Sequence, residues 1–215
     1  MDFLVLQLAD SAFPIGGFVH SQGLEAASSF GVVPDVDAFF AQAAWQTGFG
    51  ALPFVHATAT GSESIATATD ECDAFLLNPI QRRASAAQGR NLLRVAKEAF
   101  GAREDVASFV REAETTTMHL APVFGGLARA LAITPSDATR VFLHSSARNV
   151  LSAAVRLGRL GPLEAQRVLA ERASLLEAVH ARCGTLAISD AAQTSPVLDL
   201  FAGLHDRLYT RLFQS

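Results

Sequence analysis

The residues with the widest chemical reach in this chain are its six histidines, His20, His56, His119, His144, His180 and His205. Imidazole can ligate a metal or move a proton near neutral pH. No two of them stand four positions apart, the spacing that puts two imidazoles on one helix face. Glu177-Ala-Val-His180 matches the Glu-x-x-His element of di-metal helical bundles. Such a site takes a second Glu-x-x-His and two further glutamates, and this sequence has no second element. A surface or partly buried pair is the better reading of Glu177 and His180.

The other chemistries fare no better. Cys72 and Cys183 are too few for a disulfide framework and too far apart for a zinc site, so they are expected to be thiols in a reducing compartment. Lys97 is followed by Glu98, where a phosphate-binding loop needs a hydroxyl residue. Gly48-Phe-Gly50 lacks the third glycine of a dinucleotide fingerprint and follows no clear strand. No serine is grouped with a base and an acid in a recognisable order. The expectation is a protein with no catalytic group, no metal site and no cofactor of its own. Any nucleotide in its function then belongs to a partner.

Composition agrees with a folded chain able to bury a sizeable core. Of 215 residues, 50% are hydrophobic and 18% charged, unlike a disordered segment. The net charge of −4, from 17 basic and 21 acidic residues, argues against a nucleic-acid binder. Lys97 is the only lysine, and the other cations are arginines, whose planar fork of donors suits protein interfaces. High genomic GC content produces the same bias and is the plainer explanation. The start, Met1 to Gln7, has no basic segment of a secretory signal. No apolar run approaches the ~20 residues of a membrane span. These features predict a cytoplasmic protein, with a mean hydropathy of +0.26 that suggests poor solubility until a partner covers it.

The elements that must position these residues read as helices. Pro34 precedes apolar residues at helical spacing (Val36, Phe39, Phe40, Ala43, Ala44), closed by Gly48 and Gly50. Pro79 opens a segment to about Ala99, with Gly101 placed to stop it. Thr134-Pro135-Ser136-Asp137 reads as an N-cap, a first-turn proline and a first-turn acid. The helix it opens carries Val141 to Val155 and meets Gly158 and Gly161. Pro162 restarts a helix through Val179, and Ser195-Pro196 starts a last one reaching Leu212. Phe3 to Leu8 fits a strand or a helix equally. Leu52 to Thr60 and its alanine- and threonine-rich continuation favour helix, with the hydroxyls near 58–69 on a polar face. The prediction is one all-α domain over residues 1–215, of about eight to ten helices at the usual ~12-residue length.

One stretch is less ordinary. Residues 10 to 25 read Asp-Ser-Ala-Phe-Pro-Ile-Gly-Gly-Phe-Val-His-Ser-Gln-Gly-Leu-Glu. Pro14, Gly16 and Gly17 make a tight turn, and Phe13, Ile15 and Phe18 have no helix to bury them. Either the loop folds back on the core, or it forms a partner surface.

That stretch, from Leu6 through Phe13-Pro14-Ile-Gly16-Gly-Phe18-Val-His20-Ser21-Gln-Gly-Leu-Glu25, resembles the N-terminal signature of the UreF urease accessory proteins. Four more blocks follow in the family's order. Arg82-Arg-Ala-Ser85-Ala-Ala-Gln-Gly89-Arg is similar to a mid-chain helix motif. His119-Leu-Ala-Pro-Val-Phe-Gly125 and Ala154-Val-Arg156-Leu-Gly158 through Gly161 are similar to the next two. Ser195-Pro-Val-Leu-Asp199 and His205-Asp-Arg-Leu-Tyr209-Thr-Arg211-Leu-Phe-Gln-Ser215 resemble the family ending.

The resemblance implies an all-helical homodimer that binds the accessory protein UreD (also called UreH). That complex recruits the nickel-carrying GTPase UreG and docks on urease apoprotein, where nickel is inserted at the cost of GTP. UreF then supplies geometry, while nickel and GTP are handled by its partners; the alternatives are a role in accelerating GTP hydrolysis on UreG, or a generic helical protein-interaction domain. The partner-binding residues implied are Phe13, Pro14, Gly16, Phe18, His20, Ser21, Glu25, Arg156, Tyr209 and Arg211. Arg211 matches an arginine that fixes the C-terminal tail, in some relatives through a tyrosine hydroxyl. Phe18 stands at that tyrosine's position here, so a Phe18–Arg211 latch would have to be a cation–π contact, worth about 0.5–1 kcal/mol.

Overall fold

The structure is a computed structural model that describes residues 3–32 and 35–214, the Phe18 side chain excepted. Among them are twelve α-helices and no strand: α1 (Phe3–Ala9), α2 (Leu24–Ser29), α3 (Val36–Gly50), α4 (Leu52–Thr60), α5 (Ile65–Phe75), α6 (Pro79–Phe100), α7 (Glu104–Ala113), α8 (Leu120–Ala130), α9 (Pro135–Arg156), α10 (Pro162–Glu171), α11 (Ala173–Cys183) and α12 (Pro196–Leu204). The all-α prediction holds. Its lower helix number came from an average length that α1, α2, α4 and α12 fall short of. The ambiguous run at Phe3 is helical, and Val5 and Leu8 are its buried residues.

The caps explain most boundaries. The Asp35, Ser64, Asn78 and Thr134 side chains each accept a backbone N–H of the first turn, opening α3, α5, α6 and α9. The expected start of α3 at Pro34 lies outside the described residues. Two expected helices are broken. The stretch from Leu52 does not continue, because α4 ends at Gly61 and the chain turns before Ser64 caps α5. The helix from Pro162 is interrupted at Arg172, whose guanidinium makes a two-pronged ion pair with Asp37 on α3; the Nε–Oδ1 arm is 2.6 Å. That pair fixes the corner between α10 and α11, and its hydrogen bond to Arg172 holds the Asp37 carboxyl below the usual carboxylate range.

Two clusters of buried side chains form the interior. The larger gathers Leu52, Phe54 and Val55 of α4, Leu92 and Leu93 of α6, Val106 and Val110 of α7, and Val123, Phe124 and Leu127 of α8. Each such side chain contributes ~1.5–3 kcal/mol by leaving water. The smaller gathers Leu24, Phe39, Phe40, Val150, Leu151, Leu198 and Phe213. Leu175 and Leu176 of α11 lie against both, and α9 contributes to each. Helix α4 lies along α8, where Thr58 Oγ donates to the Pro122 carbonyl at 2.9 Å.

Two of the sequence blocks meet in this frame. Ser85 on α6 lies 3.1 Å from Nδ1 of the fully buried His119 and accepts the Leu120 N–H at 3.2 Å, so it caps the start of α8. His119 Nε2 lies 3.0 Å from Asp73, which also faces Arg82. Gly89 allows the contact, since a Cβ there would overlap the Met118 carbonyl oxygen. The Arg/Ser/Gly motif is thus the seat of the segment entering α8. Among the described residues, no helix is long and apolar enough to cross a membrane.

Candidate functional site

The candidate site lies where the N-terminal loop receives the last residues of the chain. It begins with a short-range necessity. Gly23 sits at φ 90°, a left-handed conformation natural to glycine, and leads into α2. A Cβ on Gly23 would come within 2.9 Å of the Ala202 backbone nitrogen, so α12 rests directly on this turn. Helix α12 is held from the other side by α6. Asn78 Nδ2 donates to the Asp199 carbonyl at 3.0 Å, and Gln81 Nε2 donates to the Asp199 carboxylate at 2.9 Å.

In the first turn of α2, the buried Glu25 is an acidic residue within the apolar run Leu24-Glu-Ala-Ala. A buried carboxylate must find donors, and these come from far along the chain. His205 Nε2 lies 3.1 Å from Oε2; the Leu212 N–H donates to Oε1 at 2.6 Å, and the Phe213 N–H to Oε2 at 3.2 Å. A carboxylate only accepts, so Nε2 carries the proton in this contact. Beside it, the Gln214 N–H donates to the Val19 carbonyl at 2.8 Å. The tail therefore follows the N-terminal loop as a strap, with Phe213 buried beneath it. From α9, the Arg156 guanidinium covers the Phe213 ring at 4.3 Å from its centroid and donates to the Leu212 carbonyl at 3.3 Å.

The expected site residues fall into three groups. Glu25, His20 and Ser21 are buried, and Ser21 Oγ accepts the Glu25 N–H at 3.4 Å. The chain itself covers all three, and the Glu25 carboxylate is met by His205 and by the tail's backbone N–H groups. Burial above all, then the nearby His205, pushes the His20 pKa down to about 4. Phe13 and Gly16 serve the loop. Phe13 stacks on Phe100 at 6.3 Å between centroids, Ile15 also packs on the larger core, and Gly16 takes φ 85°. The loop thus folds back on the core at these residues, while Pro14 is exposed. The third group, Tyr209 and Arg211, faces solvent, and the neighbouring Leu212, not among the expected residues, is 62% exposed.

Arg211 is exposed and turned to its own tail, donating from Nη2 to the Asp206 carbonyl at 3.0 Å and lying 3.4 Å from the Asp206 carboxylate. Arg83 reaches the same carboxylate from α6 at 2.7 Å. The Phe18 half of the expected Phe18–Arg211 latch lies outside the described residues. Among the described residues at the tail, a cation–π contact joins Arg156 to Phe213.

Sequence reasoning missed His205, Asp206 and Phe213. The signal for the first was available: a lone acid inside Gly23-Leu-Glu25-Ala-Ala demands a buried partner. Nothing in a single sequence says which of six histidines answers. The last helix was also expected to run to Leu212. It stops at Leu204, followed by a single 3-10 turn at His205–Arg207, and the extended tail leaves its backbone N–H groups free to reach Glu25.

Behind the loop lies an open cleft of about 810 Å³, lined in part by Gln46, Gln88, Ser146 and Asn149. Among the described residues, no three His, Cys, Asp or Glu side chains are grouped to hold a metal ion. His180 instead lies 3.0 Å from the Thr139 hydroxyl, and Glu177 pairs with Arg140.

The family model described as UreF matches residues 34–173. Urease accessory protein F of Oryza sativa subsp. japonica is 35% identical over 96% of this chain and 82% of its own length. Its counterpart in Arabidopsis thaliana is 34% identical over 97% of this chain and 90% of its own. Urease accessory protein UreF 2 of Brucella abortus (strain 2308) is 30% identical over 98% and 90%.

Proposed function

The chain belongs to the UreF family of urease accessory proteins, which act in urease maturation, and from that premise we propose that it is the adaptor that brings a nickel-carrying GTPase to urease apoprotein. In this reading it works as a cytoplasmic homodimer, binds UreD (UreH), and recruits UreG through the surface built from the N-terminal loop and the C-terminal strap. It carries no catalytic group; nickel and GTP are handled by the partners. The observation that supports this most is the strap itself. It uses buried groups (Glu25, His205, Phe213) to hold exposed ones (Tyr209, Arg211, Leu212) in a fixed outward position. Tyrosine and arginine are among the residues enriched in interface hot spots.

The alternative is that Arg156 acts on the phosphates of UreG and accelerates hydrolysis, an effect worth ~10³–10⁵ where such arginines operate. Against it stands the Arg156 side chain's engagement with Phe213 and Leu212. Co-expression with UreD and UreG, followed by size-exclusion chromatography, tests the adaptor reading. Co-elution of all three is expected; a folded chain that elutes alone would overturn it. Single-turnover GTP hydrolysis by UreG with and without the complex tests the alternative.

A further inference from the structure

We propose that Ser85 is a nucleophile: hydrogen-bonded to His119 and through it to Asp73, at the wall of the cleft behind the N-terminal loop, it takes the acyl group of a short, uncharged carboxylic ester. The proposal goes beyond the adaptor reading, which asks no chemistry of this chain, and does not depend on it.

Asp73 on α5, Ser85 on α6 and His119 at the entry to α8 are brought together by packing alone. The Asp73 carboxylate can only accept, so Nε2 of His119 carries the ring proton across their 3.0 Å contact. Nδ1 is left with its lone pair, 3.1 Å from Ser85 Oγ, and receives the serine O–H. The ring is fully buried, which holds it in that orientation. Nucleophile, base and orienting acid thus stand in the order of a serine hydrolase, with the two ring nitrogens exchanging their usual places. Ser85 is partly exposed and lines the cleft of about 810 Å³, so a substrate can reach Oγ without displacing the ring.

The first turn of α8 supplies the other half of such a site. The Leu120 N–H donates to Ser85 Oγ at 3.2 Å, Pro122 has no N–H, and the Val123 N–H donates to the His119 carbonyl at 3.1 Å. Among the described residues the Ala121 N–H has no hydrogen-bond partner, and Ala121 is buried and lines the same cleft. It is a backbone donor at the positive end of an 11-residue helix, next to the Leu120 N–H. Such a donor suits the oxygen that becomes charged as a carbonyl is attacked. In that step Ser85 Oγ bonds to the carbonyl carbon and its proton passes to Nδ1; the alcohol then leaves with that proton. Water attacks the acyl–Ser85 ester in turn and gives its proton to Nδ1. Oγ leaves with it, and the carboxylic acid is released. Ile15, Leu76 and Phe124 offer an apolar wall for the acyl chain. The arginine on the wall, Arg148, already donates to the Ala9 carbonyl at 2.8 Å, which favours an uncharged substrate over an anionic one.

The test uses the full purified chain with two probes, a biotinylated alkyl fluorophosphonate and p-nitrophenyl acetate. Peptide mass spectrometry is expected to find the phosphonyl adduct on Ser85, and Ser85→Ala to lose ester turnover by about ten-fold or more. Asp73 touches no substrate and is a positioning residue. Asp73→Asn keeps the shape beside Nε2, and is expected to lower kcat by about ten-fold or more with KM within about two-fold of wild type. Its urea midpoint should match wild type. A folded wild-type chain with no adduct on Ser85 would overturn the proposal, as would an adduct on another residue instead. So would turnover by Asp73→Asn at the wild-type kcat, which keeps the question answerable should Ser85→Ala fail to fold for want of its contact with Leu120. Hydrolysis of p-nitrophenyl phosphate in preference to the acetate would overturn the substrate class.

Discussion

Glu25 and His205 meet in a 3.1 Å hydrogen bond although 180 positions separate them, and both are buried. This contact links the first sequence block to the last, and it shows why a glutamate occurs inside an otherwise apolar turn of helix. Removing His205 leaves a buried carboxylate with one donor fewer. His205→Ala is expected to destabilise the chain by roughly 1–3 kcal/mol, the range for stranding a buried polar group. Urea unfolding at pH 7, compared with wild type, measures it; a loss below about 0.5 kcal/mol would mean that the carboxylate escapes to solvent.

Arg211 differs in kind from Glu25. Its guanidinium is partly exposed and bonded to its own tail at Asp206 and Leu208. Arg211→Ala is expected to leave unfolding within about 0.5 kcal/mol of wild type, as for other surface changes, and to leave UreD binding intact. Recruitment of UreG should weaken in a pull-down. Retention at the wild-type level would remove Arg211 from the docking face.

Gly89 has no such latitude. Any side chain there meets the Met118 carbonyl, which is backbone and cannot rotate away. Gly89→Ala is expected to cost at least ~1–3 kcal/mol from overpacking, and to loosen the His119–Ser85 junction at the start of α8. Thermal unfolding, with exchange of the Leu120 amide, would detect both.

Acid is expected to weaken the fold through His20. Its folded pKa lies at about 4, below the ~6.5 of an exposed imidazole. Between those values the unfolded chain binds the proton and the folded chain does not, so stability is fully present above about pH 6.5 and falls as pH drops toward 4. The loss from pH 7 to pH 5 is about 2 kcal/mol from this group. In His20→Gln that part of the pH dependence should vanish, while the response of Asp37, whose pKa is lowered by Arg172, remains at lower pH. Parallel urea titrations at pH 7 and pH 5 compare the two chains.

Much of the helix pattern was legible because local chemistry fixes it. Thr134-Pro135 and Asn78-Pro79 start helices through short-range bonds, and the caps appear in the sequence as capping residue types. The breaks at Arg172 and after Leu204 were not legible. The first depends on Asp37, 135 positions away, and the second on a tail whose donors answer a residue 187 positions away. Periodicity carries no information about such partners. The site was legible as blocks of sequence but not as contacts: Glu25 stood out beside exposed Arg211 and Tyr209, and only the fold separates groups that hold from groups that show.

The tie between Glu25 and Leu212 also orders events in time. While the chain is being made, α2 leaves the ribosome long before residue 212 exists, and Glu25 must wait with its carboxylate in water. Long-range closures of this kind are the slow part of folding. The outward face carrying Tyr209 and Arg211 therefore takes its place only once residue 212 has been made and has reached Glu25.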